Sequence, residues 1–173
     1  AQLEIIAESE VTTNSDATLP TRAGQIELPK SPEFEDELVH EFLVDCTFVE
    51  RNTDIWREAI DIRLNCEPTY GSIVEGLSNF IFDSCTYRDQ VVHRMTSAAE
   101  VQQEKTGTCQ DFAHLLLGYC RSLEIPARYV SGYLHDPGID EGEQPEFIGA
   151  EATHAWVDVF VPQVGWVGID PTN

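Results

Sequence analysis

Cys109 is the residue of this chain best placed for nucleophilic chemistry. It lies in Gly107-Thr108-Cys109-Gln110-Asp111-Phe112, where a strongly helical stretch begins. In the first turn of a helix, free backbone N–H groups and the positive end of the helix dipole favour a thiolate over a thiol. The thiolate is the attacking form. The same N–H groups can hold a developing oxyanion. Gly107 lets the chain and a substrate approach closely. Against this stands the common fate of a free cysteine, which is to act as a small apolar core residue. Position at a helix start does not by itself choose between the two.

A thiolate at neutral pH needs an imidazole, and the imidazole needs a third group to orient it. His40, His93 and His135 stand in polar or loop surroundings and read as surface residues. His114 follows Cys109 by five positions on one helix, a spacing that does not bring side chains face to face. It reads as a helix-surface histidine. His154 opens the strand-like run His154-Ala155-Trp156-Val157-Asp158-Val159, and Asp170 closes the next, Trp166-Val167-Gly168-Ile169-Asp170. Two antiparallel strands bring these residues together only in one register. If Val161 pairs with Gly165 around Gln163, Asp170 falls opposite Trp156. It then shares a face with His154, one diagonal step or roughly 7–8 Å away between Cα atoms. A slip of one residue puts Asp170 on the wrong face. Read alone, Asp170 could equally cap the Pro171-Thr172 turn.

The elements that must carry these residues can be read along the chain. Leu3 to Val11 alternates like a strand, and Thr12 to Pro32 reads as a linker rich in Thr, Pro, Gly and Ser. Ser31-Pro32-Glu33 resembles a helix start, with Leu38, Phe42 and Val49 as its apolar stripe. Further helices are predicted over Thr53–Leu64 and from Gly71 or Ser72 to Ser84, the latter with Ile73, Leu77, Phe80 and Ile81 on one face. Residues 85–101 read as irregular, ending in a short helical turn at Ser97–Gln103. The cysteine helix spans Thr108–Leu123 and stops at Ile125-Pro126. Strands follow at Arg128–Leu134, His154–Val161 and Trp166–Asp170, with an acidic loop from His135 to Glu151. Helices first and strands afterwards make the fold α+β.

Composition narrows the partners. With 173 residues the chain can bury one proper core. The net charge of −21 argues against nucleic acid and anionic membrane, because phosphate binding needs a basic surface. No apolar run is long enough to span a bilayer. Only Lys30 and Lys105 are lysines, which makes a salt-adapted source a hypothesis. Stability that rises steeply with salt is its expected outcome, and indifference to salt would remove it. Cys46, Cys66, Cys85, Cys109 and Cys120 form an odd set without a CxxC pair. That disfavours a zinc knuckle and a disulfide framework. Most of these thiols are expected to be reduced and buried, with Cys120 on the apolar stripe of its helix, and a cytoplasmic location follows. No metal or cofactor is called for.

Four segments carry a family resemblance. They are Gly107-Thr108-Cys109-Gln110-Asp111-Phe112-Ala113-His114, Leu123-Glu124-Ile125-Pro126-Ala127-Arg128-Tyr129-Val130-Ser131-Gly132-Tyr133, Thr153-His154-Ala155-Trp156-Val157, and Gly165-Trp166-Val167-Gly168-Ile169-Asp170-Pro171-Thr172-Asn173. In order and spacing they resemble the bacterial transglutaminase-like superfamily, over about Leu77 to Asn173. The resemblance implies Cys109 as nucleophile, His154 as base and Asp170 as the third member. It implies a papain-like, transglutaminase-core fold, with N-terminal helices including the cysteine helix packed on an antiparallel sheet. It also implies a fragment, in which residues 1–30 are the tail strand of a missing N-terminal β-domain plus linker. Residues 31–173 are then the catalytic core, cut short at its C-terminus. The implied chemistry is acyl transfer on a peptide or glutamine-type amide of a peptide or protein substrate, through a thioester. Hydrolysis is favoured over amine transfer, and a non-catalytic scaffold domain is the rival reading. Gln103 and Tyr87 are both open as second oxyanion donor. The acidic loop reads as a solvated segment near the cleft that could favour cationic substrates.

Overall fold

The computed structural model describes residues 19–29, 34, 37–88, 96–134, 148 and 153–173. The expected strand at Leu3–Val11, the helix start at Ser31–Glu33, His93, His135 and all of the acidic loop except Ile148 lie outside them.

Three of the helices begin where a side chain takes up free backbone N–H groups. A short helix α1 spans Leu19–Ala23. Helix α2 spans Thr53–Arg63, and its cap is Asn52, whose side chain accepts from the backbone N–H groups of Asp54 and Ile55 at 2.9 Å each. Helix α3 covers Tyr70–Ser84, capped by Thr69, and buries Tyr70, Ile73, Val74, Leu77, Ser78 and Ile81 at helical spacing. Helix α4 runs Ala98–Glu104 behind a reciprocal capping box between Ser97 and Glu100. It ends on Lys105 in the left-handed conformation. Helix α5, Cys109–Ser122, is buried along almost its whole length. Its exit is a Schellman turn: Glu124 takes φ 59°, its N–H donates to Arg121 O, and Ile125 N–H donates to Cys120 O. Glycine usually fills that left-handed position, so Glu124 gave the sequence no stop signal. The helix was instead read from Ile125-Pro126 as ending at Leu123.

Strands β1 (Thr86–Tyr87) and β2 (Thr106–Gly107) form a small parallel pair that joins the end of α3 to the approach of Cys109. This pair falls partly in the region read as irregular. Its two residues per strand are too short for any periodicity to register. The main sheet is an antiparallel meander in the order β3 (Ala127–Tyr133), β4 (Thr153–Val161), β5 (Gly165–Ile169). Val161 pairs with Gly165 and Val157 with Ile169, which is the register expected from the turn at Gln163. Gln163 and Gly165 take positive φ in that turn, and nothing lies within 4 Å of a Cβ built on Gly165. Gly165 is therefore there for its backbone conformation, not for space. Helix α5 packs against β3 and β4, with α2, α3 and α4 around its other sides. The fold is α+β, as expected.

Two expectations need correcting. The helix on Leu38, Phe42 and Val49 is a 3-10 helix over Glu37–Leu43, followed by a tight Cys46–Val49 bridge. At three residues per turn Val39 and Phe42 share a face. Val39 is buried, whereas Leu38 is 67% exposed. The stretch read as linker is also partly structural. Ala23 and Leu28 join the core, Glu27 bridges to Thr69, and Leu28 N–H donates to Pro68 O at 2.9 Å. A Cβ on Gly71 would meet the Gly24 backbone at 2.7 Å, so two backbones touch there and polar composition hid a packed joint.

Candidate active site

Cys109 occupies the first position of α5 and is buried, 6% exposed. Thr108 is its cap. The Asp111 carboxylate reaches back to accept from Thr108 N–H at 2.8 Å and from its hydroxyl at 3.0 Å. A Cβ on Gly107 would sit 2.6 Å from Asp111 Cβ, so glycine is required for this closure. The Thr108-x-x-Asp111 spacing is a capping pattern legible in residue type alone. The N–H groups of Ala155, Gln110 and Cys109 itself favour the thiolate, but burial pushes the Cys109 thiol up and the Asp170 carboxylate adds to the rise. Without a proton acceptor and a positive neighbour, this cysteine stays a thiol at neutral pH.

The Ala155 N–H places the sulfur beside β4, one residue past His154. His154 itself is 1% exposed. Its Nε2 lies 2.8 Å from Asp170 Oδ2. The register explains this meeting: extending the β4–β5 ladder by one pair sets Asp170 opposite Trp156, on the same face as His154. The Asp170 carboxylate is held at both oxygens by groups that can only donate. Thr172 N–H donates to Oδ1 at 2.9 Å, and Asn173 Nδ2 donates to Oδ2 at 2.7 Å. Ser78 of α3 donates its hydroxyl to the Asp170 carbonyl at 3.2 Å. An acceptor-only carboxylate forces His154 Nε2 to be the donor, which leaves the lone pair of the neutral ring on Nδ1. That Nδ1 is buried with no hydrogen-bond partner. The Trp156 ring stacks near His154 at 6.2 Å between centroids and lies over Gly132, where a Cβ would meet it at 2.7 Å. Asp170 thus caps the Pro171-Thr172 turn with one oxygen and meets the His154 imidazole with the other.

The other candidates fall out differently. His114 is buried, not on the helix surface: its ring stacks on Phe48, leans on Tyr129, and its Nδ1 lies 3.0 Å from Thr96 O. Burial lowers its pKa. Five positions along the helix keep His114 from facing Cys109, and Phe48 and Thr96 from outside the helix cover its ring. His40 is exposed, as read. Of the two oxyanion candidates, Gln103 is exposed on α4. Tyr87 pairs in register with Gly107, two residues before Cys109, and its ring sits edge-on to Phe112. All five cysteines are free of disulfides. Cys120 is buried and its thiol is pushed up to about 12. Against the expectation that most of the thiols are buried, Cys66 and Cys85 are half-buried and Cys46 is exposed, in the tight bridge after the 3-10 helix.

Tyr129, Ser78 and Asn173 belong to the surroundings of the site and carried no signal by residue type. Tyr129 lies on β3, and burial, Cys109 and Asp111 all keep its phenol protonated. Among the described residues no cluster of metal-ligating side chains occurs and no helix is long and apolar enough to cross a membrane.

A family model for the transglutaminase-like superfamily matches residues 59–171. Uncharacterized proteins of Mycobacterium bovis and Mycobacterium tuberculosis are 39% identical to this chain over 108 residues, 58% of its length and 33% of theirs. A protein-glutamine gamma-glutamyltransferase of Pseudomonas aeruginosa is 31% identical over 68 residues, covering 39% of this chain and 10% of that protein. The crystal structure of a candidate cysteine protease from Cytophaga hutchinsonii has a TM-score of 0.68 at 26% identity, covering 85% of this chain and 46% of that one. The periplasmic domain of TgpA from Pseudomonas aeruginosa has the same fold, with a TM-score of 0.56 at 22% identity over 78% of this chain and 48% of its own. The chain spans about a third of the length of the curated relatives named first.

Proposed function

The chain belongs to the transglutaminase-like superfamily, and on that premise we propose that it is the catalytic core of a thiol-dependent hydrolase acting on amide bonds of peptides or proteins. The observation that carries the reading is the 2.8 Å bond from His154 Nε2 to Asp170, which leaves Nδ1 unpartnered and able to take a proton, one residue from the Ala155 N–H that meets the Cys109 sulfur.

In this mechanism the Cys109 proton passes to His154 Nδ1. The resulting imidazolium lies between the thiolate and the Asp170 carboxylate, and so supplies the positive neighbour that burial otherwise denies the sulfur. The sulfur attacks the amide carbon, and the oxyanion is met by the Cys109 backbone N–H with a second donor, for which Tyr87 is better placed than Gln103. As the tetrahedral adduct collapses, Nδ1–H protonates the departing amine and a thioester remains. Water then gives a proton to Nδ1 and its oxygen to the acyl carbon. The acid leaves and the thiol is restored.

Water as acceptor is favoured here because the structural relative covering 85% of the chain is described as a candidate cysteine protease, whereas the glutamyltransferase likeness covers 39%. The test has two stages. Iodoacetamide labelling across pH, resolved by cysteine with mass spectrometry, is expected to show Cys109 reacting near neutral pH, and to lose that reactivity in His154→Ala. Exposed Cys46, whose sulfur accepts from Arg121 Nη1 at 3.6 Å, provides an internal reference for an accessible thiol away from a helix start. Labelling of Cys109 no faster than Cys46, with no effect of His154→Ala, would remove the enzyme reading and leave a scaffold domain. Peptide mixtures are then incubated with and without a primary amine. Cleavage or deamidation is expected, and amine-dependent conjugates as the main product would make the protein a transferase.

A further inference from the structure

Asn173 makes contacts on two sides of the site. Its Nδ2 donates to Asp170 Oδ2 at 2.7 Å, the same oxygen that accepts from His154. Its Oδ1 accepts from the Ile148 N–H at 2.8 Å, and Nδ2 also lies 3.4 Å from the Ile148 carbonyl. Ile148 belongs to the long connection between β3 and β4, the acid-rich stretch that re-enters the sheet one residue before His154. Both ends of one carboxamide are thus used, one towards the orienting carboxylate and the other towards the segment that leads into the base.

We infer that Asn173 is a positioning residue, which holds the Asp170 carboxylate in the plane His154 requires and ties the β3–β4 connection to it. The inference rests on the reading of Cys109, His154 and Asp170 as the catalytic set. Thr172 N–H holds only Oδ1, and Ser78 holds only the backbone carbonyl. Without Asn173, His154 is left as the sole donor to Oδ2, and rotation of the carboxylate is opposed by one bond fewer. An amide suits both jobs because it is donor and acceptor at once. A carboxylate at this position could keep the Ile148 bond but could not donate to Asp170.

That asymmetry gives the test, carried out on the full chain. Asn173→Ala removes both contacts. Cys109 labelling by iodoacetamide at pH 7 is expected to slow about tenfold, and proteolytic nicking between residues 135 and 152 is expected to speed up. Asn173→Asp keeps the acceptor for Ile148 and sets a second carboxylate beside Asp170. Nicking should stay at the wild-type rate, while Cys109 labelling should slow as it does in Asn173→Ala, because the donor to Asp170 is lost in both variants. A purely structural role for Asn173 would make labelling follow nicking, slowed in Asn173→Ala and normal in Asn173→Asp. Wild-type labelling in Asn173→Ala, or labelling that recovers together with nicking in Asn173→Asp, overturns the inference. If His154→Ala also leaves Cys109 labelling unchanged, the catalytic reading itself has failed, and the two failures are told apart.

Discussion

Cys109 and Cys120 lie on one helix, about three turns apart, and share residue type, burial and helical geometry. Their surroundings differ. Cys109 stands at the N-terminus, where backbone N–H groups from its own turn and from Ala155 point at the sulfur. Cys120 stands three turns on, wholly enclosed by the core. Burial pushes both thiols up, but only the first has donors, an imidazole strand and a carboxylate within reach. What separates the two thiols is therefore the helix end and the strand it meets, since burial acts on both alike.

The comparison can be broken most decisively by exchanging the two thiols' fates. Cys109→Ser should abolish amide turnover in a peptide assay, a loss of about 10³-fold or more. Cys120→Ala should leave Cys109 labelling intact and cost about 1 kcal/mol in a denaturant melt. Equal loss from both would show that the helix matters as a body and not at its end.

His154→Ala sharpens the same contrast. Without the imidazole, Cys109 has only backbone donors to set against burial and Asp170. Its thiol should then titrate above the ordinary range, and its labelling should rise only in alkali, as is expected of Cys120. At pH 7 a drop of about 10²-fold is expected, read from the pH profile of the Cys109 peptide.

A smaller effect concerns how the helix is held. Glu58 of α2 accepts from Lys105 at 2.8 Å, from Gln102 at 3.0 Å and from the Tyr119 hydroxyl. Burial would raise its pKa, yet the donors Lys105, Tyr119 and Gln102 together lower it. Glu58→Gln should cost about 1–3 kcal/mol, measured by urea unfolding, with the Cys109 profile unshifted. A shifted profile would mean that this buried network also tunes the site.

The smallest effect is a slope. Burial lowers the His114 pKa in the fold, so its unfolded form binds a proton first. Its stabilising contribution is complete above the unfolded value of about 6.5 and is lost as pH falls from there through the lowered folded value. His114→Phe should flatten the dependence of the urea midpoint between about pH 7 and pH 5 relative to wild type.

What could be read from residues alone was whatever rested on local order. The Thr108–Cys109 helix start, the apolar faces of α3 and α5 and the β4–β5 register around Gln163 are set by neighbours within a few positions, and each was legible. The errors arose where distant segments decide. His114 looked exposed because residues 48 and 96 cover it from outside its helix. Ala23 and Leu28 looked like linker because their partner is the start of α3.

The sequence by itself therefore determined the chemistry available, namely a cysteine at a helix start, and a histidine and an aspartate on adjacent strands whose alternation puts both on one face. Tertiary structure decided what that chemistry is worked with. It set the Ala155 N–H against the sulfur, bound both oxygens of Asp170, left His154 Nδ1 without a partner, and brought Asn173 between Asp170 and Ile148. Side-chain alternation is local and survives in the chain as a pattern. Hydrogen bonds between strand, helix and loop depend on where separate elements come to rest, and no spacing along the chain encodes them.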